Sequence, residues 1–269
     1  MTVTAEEIWQ DIQQIRTNAP LVHNITNYVV MNTTANALLA IGASPVMAHA
    51  REEVAQMAGI ASALVINIGT LSGPWVQSMA AAMQVAAARE IPIILDPVGV
   101  GATAYRTQTA NQLMATAVPA VIRGNASEII ALVVSGAATK GVDATAAAES
   151  ALTAGQTLHE TTGSTVCISG ETDYIIGGET IVSISNGHPL MPRVTGLGCT
   201  ATAICGAFAA VNLNSRVAAA HALATMGIAG EMAAEKADGP ATFQTAFIDS
   251  LYQMKADDVA QRLQSGIAE

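Results

Sequence analysis

The sequence has few aromatic and few charged residues. Of its 269 residues, 3% are aromatic and 12% are charged, while 51% are hydrophobic, so its core must be built mainly from aliphatic side chains. Basic residues are scarcest, with 11 Lys and Arg against 21 Asp and Glu. A nucleic-acid partner requires a basic surface that neutralises phosphates. The net charge of −10 and the lack of a basic stripe therefore argue against one.

Cysteine is also scarce. The chain has three, at positions 167, 199 and 205, with no CxxC motif and no Cys/His spacing typical of zinc ligands. An odd, small number of thiols argues against a disulfide framework and against a structural zinc site. We therefore expect reduced thiols.

No apolar run reaches the 18 or more residues of a membrane span. The most apolar region, residues 201–230, is interrupted by Asn212, Asn214, Arg216 and His221. The first sixteen residues, MTVTAEEIWQDIQQIR, are acidic and amphipathic, unlike the basic and then apolar pattern of a signal peptide. We therefore expect a soluble, cytoplasmic protein with no membrane partner. The low charge also favours a surface that is partly covered by another subunit.

Short β-branched runs alternate with Ala-rich segments along much of the chain. Such runs are typical of strands buried on both faces of a parallel sheet. We find no linker or repeat, so we expect an α/β fold with a single domain over residues 1–269. The predicted strands are 63–67, 92–96, 120–124 and 164–169, with an antiparallel hairpin over 173–186. The predicted helices are 72–90, 105–116, 143–161, 199–212, 215–236 and 240–264.

Ligands of an open parallel sheet bind at the carboxyl ends of its strands, and four strand exits are unusual there. In DPVGVGAT (96–103), Asp96 is suited to a metal or phosphate cluster, or to capping the next turn. In RGNASE (123–128), Arg123 offers a planar cation for phosphate. Glu128 is suited to binding magnesium through water, or to forming a capping box with Asn125.

Two further segments contain candidate phosphate-binding groups. In ISGETD (168–173), Ser169 supplies a hydroxyl at a strand end, although the segment also fits an ordinary turn. In VTGLGCTATA (194–203), Gly196 and Gly198 precede a predicted helix, and a helix N-terminus attracts anions. Cys199 lies in that first turn, whereas Cys205 lies inside the helix and fits a small buried apolar residue.

Residues 20–50, PLVHNITNYVVMNTTANALLAIGASPVMAHA, combine uncharged polar side chains with apolar ones. This composition suits a small, neutral, partly apolar ligand. Asn24, Asn27 and Asn32 are also suited to capping helices and to satisfying backbone groups.

Together these segments resemble the hydroxyethylthiazole kinases, a thiamine-salvage family of the ribokinase-like superfamily. The resemblance rests on HNITNYVVMNTTANALLAIGASPVMAHA, LVINIGTL, PIILDPVGVGAT, RGNASEI and VTGLGCTATA, spread over residues 20–210. It implies a ribokinase-like fold. It also implies transfer of the γ-phosphoryl group of ATP to the primary hydroxyl of 4-methyl-5-(2-hydroxyethyl)thiazole, with Mg²⁺, and a homotrimer with sites between subunits.

The resemblance also assigns roles to single residues. Where this chain has Ser169 the family often has Thr, a change that keeps the hydroxyl. Most ribokinase-like kinases carry GxGD where this chain has Cys199, and the Asp is their base. An ordinary thiol of pKa ~8.5 is only about 3% ionised at pH 7, so we predict that Cys199 acts as a weak base or as a wall of the site. The implied contacts are Arg123 and Ser169 with ATP, Asp96 and Glu128 with the metal, and Met47, Gly196 and Asn27 with the thiazole.

Three other functions remain open from the sequence. One is an ATP- or ADP-dependent dehydratase of the same superfamily, which would share the nucleotide site. Another is a cysteine-nucleophile enzyme such as a glutaminase, which requires a His base beside Cys199. The third is a non-catalytic thiazole carrier, which would need neither Asp96 nor Arg123. The candidate bases are His23, His49, His159, His188 and His221.

Overall fold

A mostly parallel β-sheet forms the centre of the protein. The computed structural model describes residues 2–134 and 144–268, and within them the sheet has nine strands. The strands are β1 (Leu21–Ile25), β2 (Ser44–Val46), β3 (Ala63–Asn67), β4 (Ile93–Asp96), β5 (Val121–Asn125), β6 (Thr165–Ser169), β7 (Asp173–Ile176), β8 (Ile181–Ile184) and β9 (Ser265–Ala268). Their order across the sheet is β2-β1-β3-β4-β5-β6-β7-β8-β9. The six strands from β2 to β6 are parallel, and β7, β8 and β9 continue the sheet in antiparallel pairs.

Helices cover both faces of this sheet. They are α1 (Ala5–Asn18), α2 (Met31–Ile41), α3 (Val54–Ile60), α4 (Gly73–Ala88), α5 (Ala104–Thr116), α6 (Ala126–Val133), α7 (Ala144–Thr162), α8 (Leu197–Ala209), α9 (Ser215–Ala234), α10 (Pro240–Gln253) and α11 (Ala256–Arg262). Alternate residues of β3 show how the layers form. Val65 lies in the core shared with α8 and α9, while Leu64 and Ile66 lie in the core shared with α4 and α7. A strand buried on both faces must be apolar throughout, which explains the continuous run in the sequence.

Helix α8 packs closely against the sheet at Gly206. A Cβ atom added at Gly206 would meet Val65 Cγ2 at 2.7 Å and Val22 Cγ1 at 3.2 Å. The absence of a side chain at this position therefore allows the helix to pack directly on β1 and β3. This packing fixes the position of the first turn of α8, which contains Cys199.

Helix α9 has the length and apolar composition of a membrane-spanning helix. However, 83% of its apolar window is buried inside the fold. Its neighbours are α8 and α10, so the apolar composition of this helix belongs to the protein core.

The four predicted parallel strands and the hairpin are confirmed to within a few residues, and Asn125 caps a helix, α6, as its spacing from Glu128 indicates. Residue 143, the predicted start of α7, lies outside the described residues. The single helix predicted over 240–264 is wrong. The chain leaves α10 at Met254, which is non-helical and 1% exposed, then forms α11 and finally β9. Tertiary packing explains the break, because the buried Met254 side chain belongs to the core, and β9 begins only after the predicted helix, at Ser265.

Candidate active site

Polar side chains from four neighbouring strands meet at one edge of the sheet. Asn67 and Asp96 are the last residues of β3 and β4, and they are register partners. Asn125 and Ser169 end β5 and β6 in the same way. Because parallel strands present their carboxyl ends at one edge, the strand exits identified in the sequence lie side by side.

Asp96 is buried in a network of side-chain hydrogen bonds. Its Oδ2 atom accepts from Asn67 Nδ2 at 2.8 Å and from Thr202 Oγ1 at 2.7 Å. Its Oδ1 atom accepts no hydrogen bond within the described part of the chain. Burial raises the pKa of Asp96 to about 6, although the positive charge of Arg123 and the bond from Thr202 oppose the rise. Since side chains hold this carboxylate, it is not the turn cap considered from the sequence.

Arg123 is a buried cation with most of its hydrogen-bonding capacity unused. The residue is 8% exposed, and its Nε atom is buried with no partner in the described residues. Its one hydrogen bond there runs from Nη1 to Thr202 Oγ1 at 3.4 Å. Burial works against the charge, but Asp96 and Asp173 outweigh burial, so the pKa of Arg123 is raised. A planar guanidinium held in this way retains donors for an oxyanion such as phosphate.

The Arg123 guanidinium faces the N-terminus of α8. A Cβ atom added at Gly198 would lie 3.7 Å from both Nη1 and Nη2 of Arg123. The unpaired backbone N–H groups of a first helical turn carry a partial positive charge. The cation and the helix terminus therefore create a positive field at the same place.

Cys199 is on the first turn of α8, where it contacts the exit of β1. Asn27 Nδ2 donates to Cys199 Sγ at 3.4 Å and to Asn67 Oδ1 at 2.8 Å. Burial raises the pKa of the Cys199 thiol, and the negative charge of Asp96 raises it further, while bonds from Asn67 and Asn27 oppose the rise. The thiol form is therefore favoured at neutral pH, which makes this residue a poor base and a poor nucleophile.

Glu128 forms the capping box that its spacing from Asn125 predicts. Its Oε2 atom accepts from Asn125 N at 2.9 Å, and Asn125 Oδ1 accepts from Glu128 N at 3.0 Å. The Oε1 atom accepts from Gly99 N at 2.8 Å. Glu128 therefore also connects α6 to the loop that follows Asp96.

The remaining predicted residues lie at strand ends or at the start of α8. Ser169 Oγ donates to Gly124 O at 3.3 Å, next to Arg123 in the sequence. Met47 is half-buried immediately after β2. Gly196 precedes α8 with a φ of +86°, and a Cβ atom there would lie 2.5 Å from Val30 Cγ1. The close approach of Val30 and the positive φ therefore require glycine at position 196.

Two residues that hold the site together were missed by the sequence analysis. Asn67 links Asn27 to Asp96, and Thr202 links Asp96 to Arg123. A signal for Asn67 was present in the sequence, because it is the one polar residue of ALVIN (63–67) and stands at the end of that strand. Thr202 follows Cys199 by three residues, so it lies on the same helix face as the thiol.

The geometry also limits the alternatives. All five histidines lie in the described residues, and none of them hydrogen-bonds to Cys199 there. No group of three or more His, Cys, Asp or Glu side chains able to hold a metal by themselves is found among the described residues. Two carboxylates, Asp96 and Glu128, are too few to surround a metal ion by themselves. They fit an ion that also binds to a phosphate ligand and to water.

Comparison with known proteins identifies the family. Residues 12–257 match the model of the hydroxyethylthiazole kinase family. The chain is 63% identical over 264 residues to a hydroxyethylthiazole kinase of Syntrophus aciditrophicus, covering 98% of each chain. It superposes on a solved hydroxyethylthiazole kinase of Pyrococcus horikoshii with a TM-score of 0.89 and 41% identity, covering 98% of this chain and 100% of that one.

A more distant structure is similar in fold alone. It is a ribokinase-like superfamily protein of Enterococcus faecalis, with a TM-score of 0.60 and 16% identity over 88% of each chain. The predicted ribokinase-like α/β class is therefore confirmed. With the family model and the relatives both spanning nearly the whole sequence, the chain belongs to the hydroxyethylthiazole kinase family.

Proposed function

We propose that this protein transfers the γ-phosphoryl group of ATP to the primary hydroxyl of 4-methyl-5-(2-hydroxyethyl)thiazole, as a cytoplasmic, single-domain enzyme of thiamine salvage. The observation that carries the proposal is the buried Arg123 guanidinium beside the N-terminus of α8, most of whose donors have no partner among the described residues. Phosphoryl transfer depends mainly on positioning and on stabilising the charge of the transferred group. A carrier or a thioester enzyme has no need of this buried cation.

The nucleotide would bind over β5 and β6. Arg123 would hold phosphate oxygens, and Ser169 would add a hydroxyl from the adjacent strand end. The backbone N–H groups at the start of α8 would face the transferred phosphoryl group. Together these groups would stabilise negative charge as the bond to the leaving ADP breaks.

Asp96 and Glu128 fit the Mg²⁺ that such a reaction requires. Asp96 Oδ1 is free of hydrogen bonds from the described residues, and Glu128 is linked to the loop after Asp96 through Gly99. Carboxylates at a phosphate site hold Mg²⁺ directly or through water, and the ion neutralises phosphate charge. We therefore assign the metal to these two carboxylates.

The thiazole alcohol would bind between the exits of β1 and β2 and the start of α8. Asn27, Met47 and Gly196 would line this pocket, which combines amide, thioether and backbone surfaces. Cys199 would then lie against the acceptor hydroxyl. In a loose phosphoryl-transfer transition state, little proton removal precedes bond formation, so a weak base suffices.

A homotrimer with the thiazole pocket between subunits is part of the proposal. Tyr28 and Val29, directly after Asn27, are 67% and 62% exposed. Large apolar side chains beside a ligand site suit burial against another subunit. Light scattering is expected to give about three times the chain mass of 27.4 kDa.

A coupled ADP-release assay with Mg²⁺, run with and without the thiazole alcohol, tests the reaction. We expect the alcohol to stimulate ADP release, with one thiazole phosphate formed per ADP. An equal rate of ADP release with and without the alcohol would overturn the proposal. Binding of the alcohol without turnover would instead favour a carrier.

A further inference from the structure

Arg106 connects the two loops on which the candidate site is built. It lies on the first turn of α5, outside the site itself. Its Nη1 atom donates to Ile68 O at 2.8 Å and to Val98 O at 2.7 Å, and its Nη2 atom donates to Gly69 O at 2.8 Å. One guanidinium therefore bonds the loop after β3 and the loop after β4 at the same time.

The position of Arg106 is itself fixed by its helix. Thr103 caps α5 and accepts from Arg106 N at 3.3 Å, while Gly101 N donates to Thr107 Oγ1 at 3.1 Å. A Cβ atom added at Gly99 would lie 3.1 Å from Arg106 Cδ, so the loop after β4 runs against the arginine stem. The guanidinium is therefore presented from a rigid element.

Both loops lead directly to residues of the site. In the first loop, Gly69 N donates to Asn67 Oδ1 at 2.9 Å, and Asn67 accepts from Asn27, which contacts Cys199. A Cβ atom at Gly69 would lie 2.6 Å from Asn27 Nδ2, so this loop also sets the position of Asn27 sterically.

In the second loop, Val98 O accepts from Arg106, and the next residue, Gly99, donates its N–H to Glu128 Oε1. Asp96 lies two residues before Val98. Arg106 thus connects two parts of the site. One is the pair of carboxylates assigned to the metal, and the other is the Asn27–Cys199 pair assigned to the acceptor.

We propose that Arg106 is a positioning residue, which sets the distance between the metal side and the acceptor side of the site. This inference rests on the proposed function. A planar fork reaching three carbonyl oxygens cannot be reproduced by lysine, whose ammonium is a single point of contact. Small displacements of reacting groups cost up to about 100-fold in rate. Loss of the fork therefore lowers kcat and raises the Mg²⁺ concentration needed for half-maximal activity.

The test compares Arg106→Gln and Arg106→Lys with Arg51→Gln, an exposed arginine whose Nη1 atom bonds only Gln77 at 2.7 Å among the described residues. We expect about a 10- to 100-fold fall in kcat and a higher Mg²⁺ requirement in both Arg106 variants. The KM for ATP at saturating Mg²⁺ should change little, because the hydrogen bonds of the Arg106 guanidinium among the described residues run to the loops after β3 and β4 and not to Arg123. A merely structural loss of folded enzyme would lower kcat alone.

Hydrogen exchange gives a second result that does not depend on activity. Amides in peptides covering residues 67–70 and 97–101 should exchange faster in the Arg106 variants, while the midpoint of thermal unfolding stays near that of Arg51→Gln. Unchanged exchange in either loop of a folded Arg106→Lys protein, or an unchanged Mg²⁺ requirement, would overturn the inference. If the wild-type protein shows no alcohol-stimulated ADP release, the proposed function fails, and the exchange experiment still decides the role of Arg106.

Discussion

At the scale of single residues, burial determines the chemistry of the site more than residue type does. Asp96 is an acidic residue whose pKa is raised to about 6 by burial. The thiol of Cys199 has its pKa raised by burial and by the charge of Asp96. Both shifts favour the protonated form. At neutral pH the Cys199 thiol is therefore protonated, whereas Asp96 still carries most of its negative charge, which is available to a bound metal.

The protonated thiol leads to a prediction for Cys199. Because a weak base contributes little, Cys199→Ala should retain activity and lose about tenfold in kcat. Cys199→Asp should remain an active kinase and is expected to match or exceed the wild type, since Asn27 Nδ2 is placed to donate to the new carboxylate. Steady-state assays of both variants check this. A thioester enzyme would be abolished by both changes, and an inactive but folded Cys199→Asp protein that still binds both substrates would contradict the weak-base role.

A second residue-scale prediction concerns the carboxylate of Asp96. In Asp96→Asn, the amide oxygen can still accept from Asn67 and Thr202, so the hydrogen-bond network is kept. The loss of charge should raise the Mg²⁺ requirement and lower kcat by about tenfold or more. Equilibrium titration should show nearly unchanged thiazole affinity. A large loss of thiazole affinity would place Asp96 in the acceptor pocket instead.

The sequence pointed to the charged residues of the candidate site, but not to Asn67 and Thr202, the neutral residues that hydrogen-bond to them. Arg123 and Asp96 stand out because charges are rare at the ends of apolar strands. Asn67 and Thr202 do not, since amides and hydroxyls are common caps and turn residues. Their role depends on which strands are neighbours and on how α8 lies over the sheet, and local sequence does not contain that information.

At the scale of elements, the entry to α8 depends on glycine. Gly196 has a left-handed φ of +86°, and an added Cβ would collide with Val30. Gly196→Ala should therefore lower the free energy of unfolding by about 1–3 kcal/mol. Gly59→Ala is the control, because Gly59 lies in α3 with open space around its Cα, and alanine should stabilise that helix by about 0.5–1 kcal/mol. Denaturant unfolding measures both changes, and equal effects would contradict the strain at Gly196.

The elements that were easy to predict are those whose local pattern agrees with their tertiary role. Strand β3 is continuously apolar because helices cover both its faces. Strand β1 was not predicted, since its buried His23 and Asn24 interrupt the apolar pattern. The short edge strands β2 and β9 were missed because pairing with a neighbour, not propensity, stabilises them.

At the scale of the whole molecule, the site reduces stability. The folded protein holds the pKa of Asp96 at about 6, whereas the unfolded chain has the ordinary value of 3.8. Between about pH 4 and pH 6 the folded state therefore binds more protons than the unfolded state, so the free energy of unfolding falls as pH rises. The cost is absent below about pH 4 and complete above about pH 6, where it amounts to at most about 3 kcal/mol.

It follows that Asp96→Asn should be more stable than the wild type at about pH 8, by about 1–3 kcal/mol, and equally stable near pH 4. Because the comparison subtracts the titrating groups that do not interact with Asp96, the pH dependence of the difference comes mainly from this carboxylate. Urea unfolding of both proteins across this range supplies the measurement. A stability difference that does not vary with pH would show that the buried charge of Asp96 has no such cost.

The most direct test of the account concerns Arg123 and the nucleotide. We measure the equilibrium affinity of a non-hydrolysable ATP analogue, with Mg²⁺, for the wild type, for Arg123→Lys and for Arg51→Lys as an exposed control. Because lysine cannot present two parallel donors, the affinity of Arg123→Lys should fall by about tenfold or more, while the control is unchanged. If the analogue binds Arg123→Lys as tightly as the wild type, the phosphates do not bind at this guanidinium, and the proposed site is wrong.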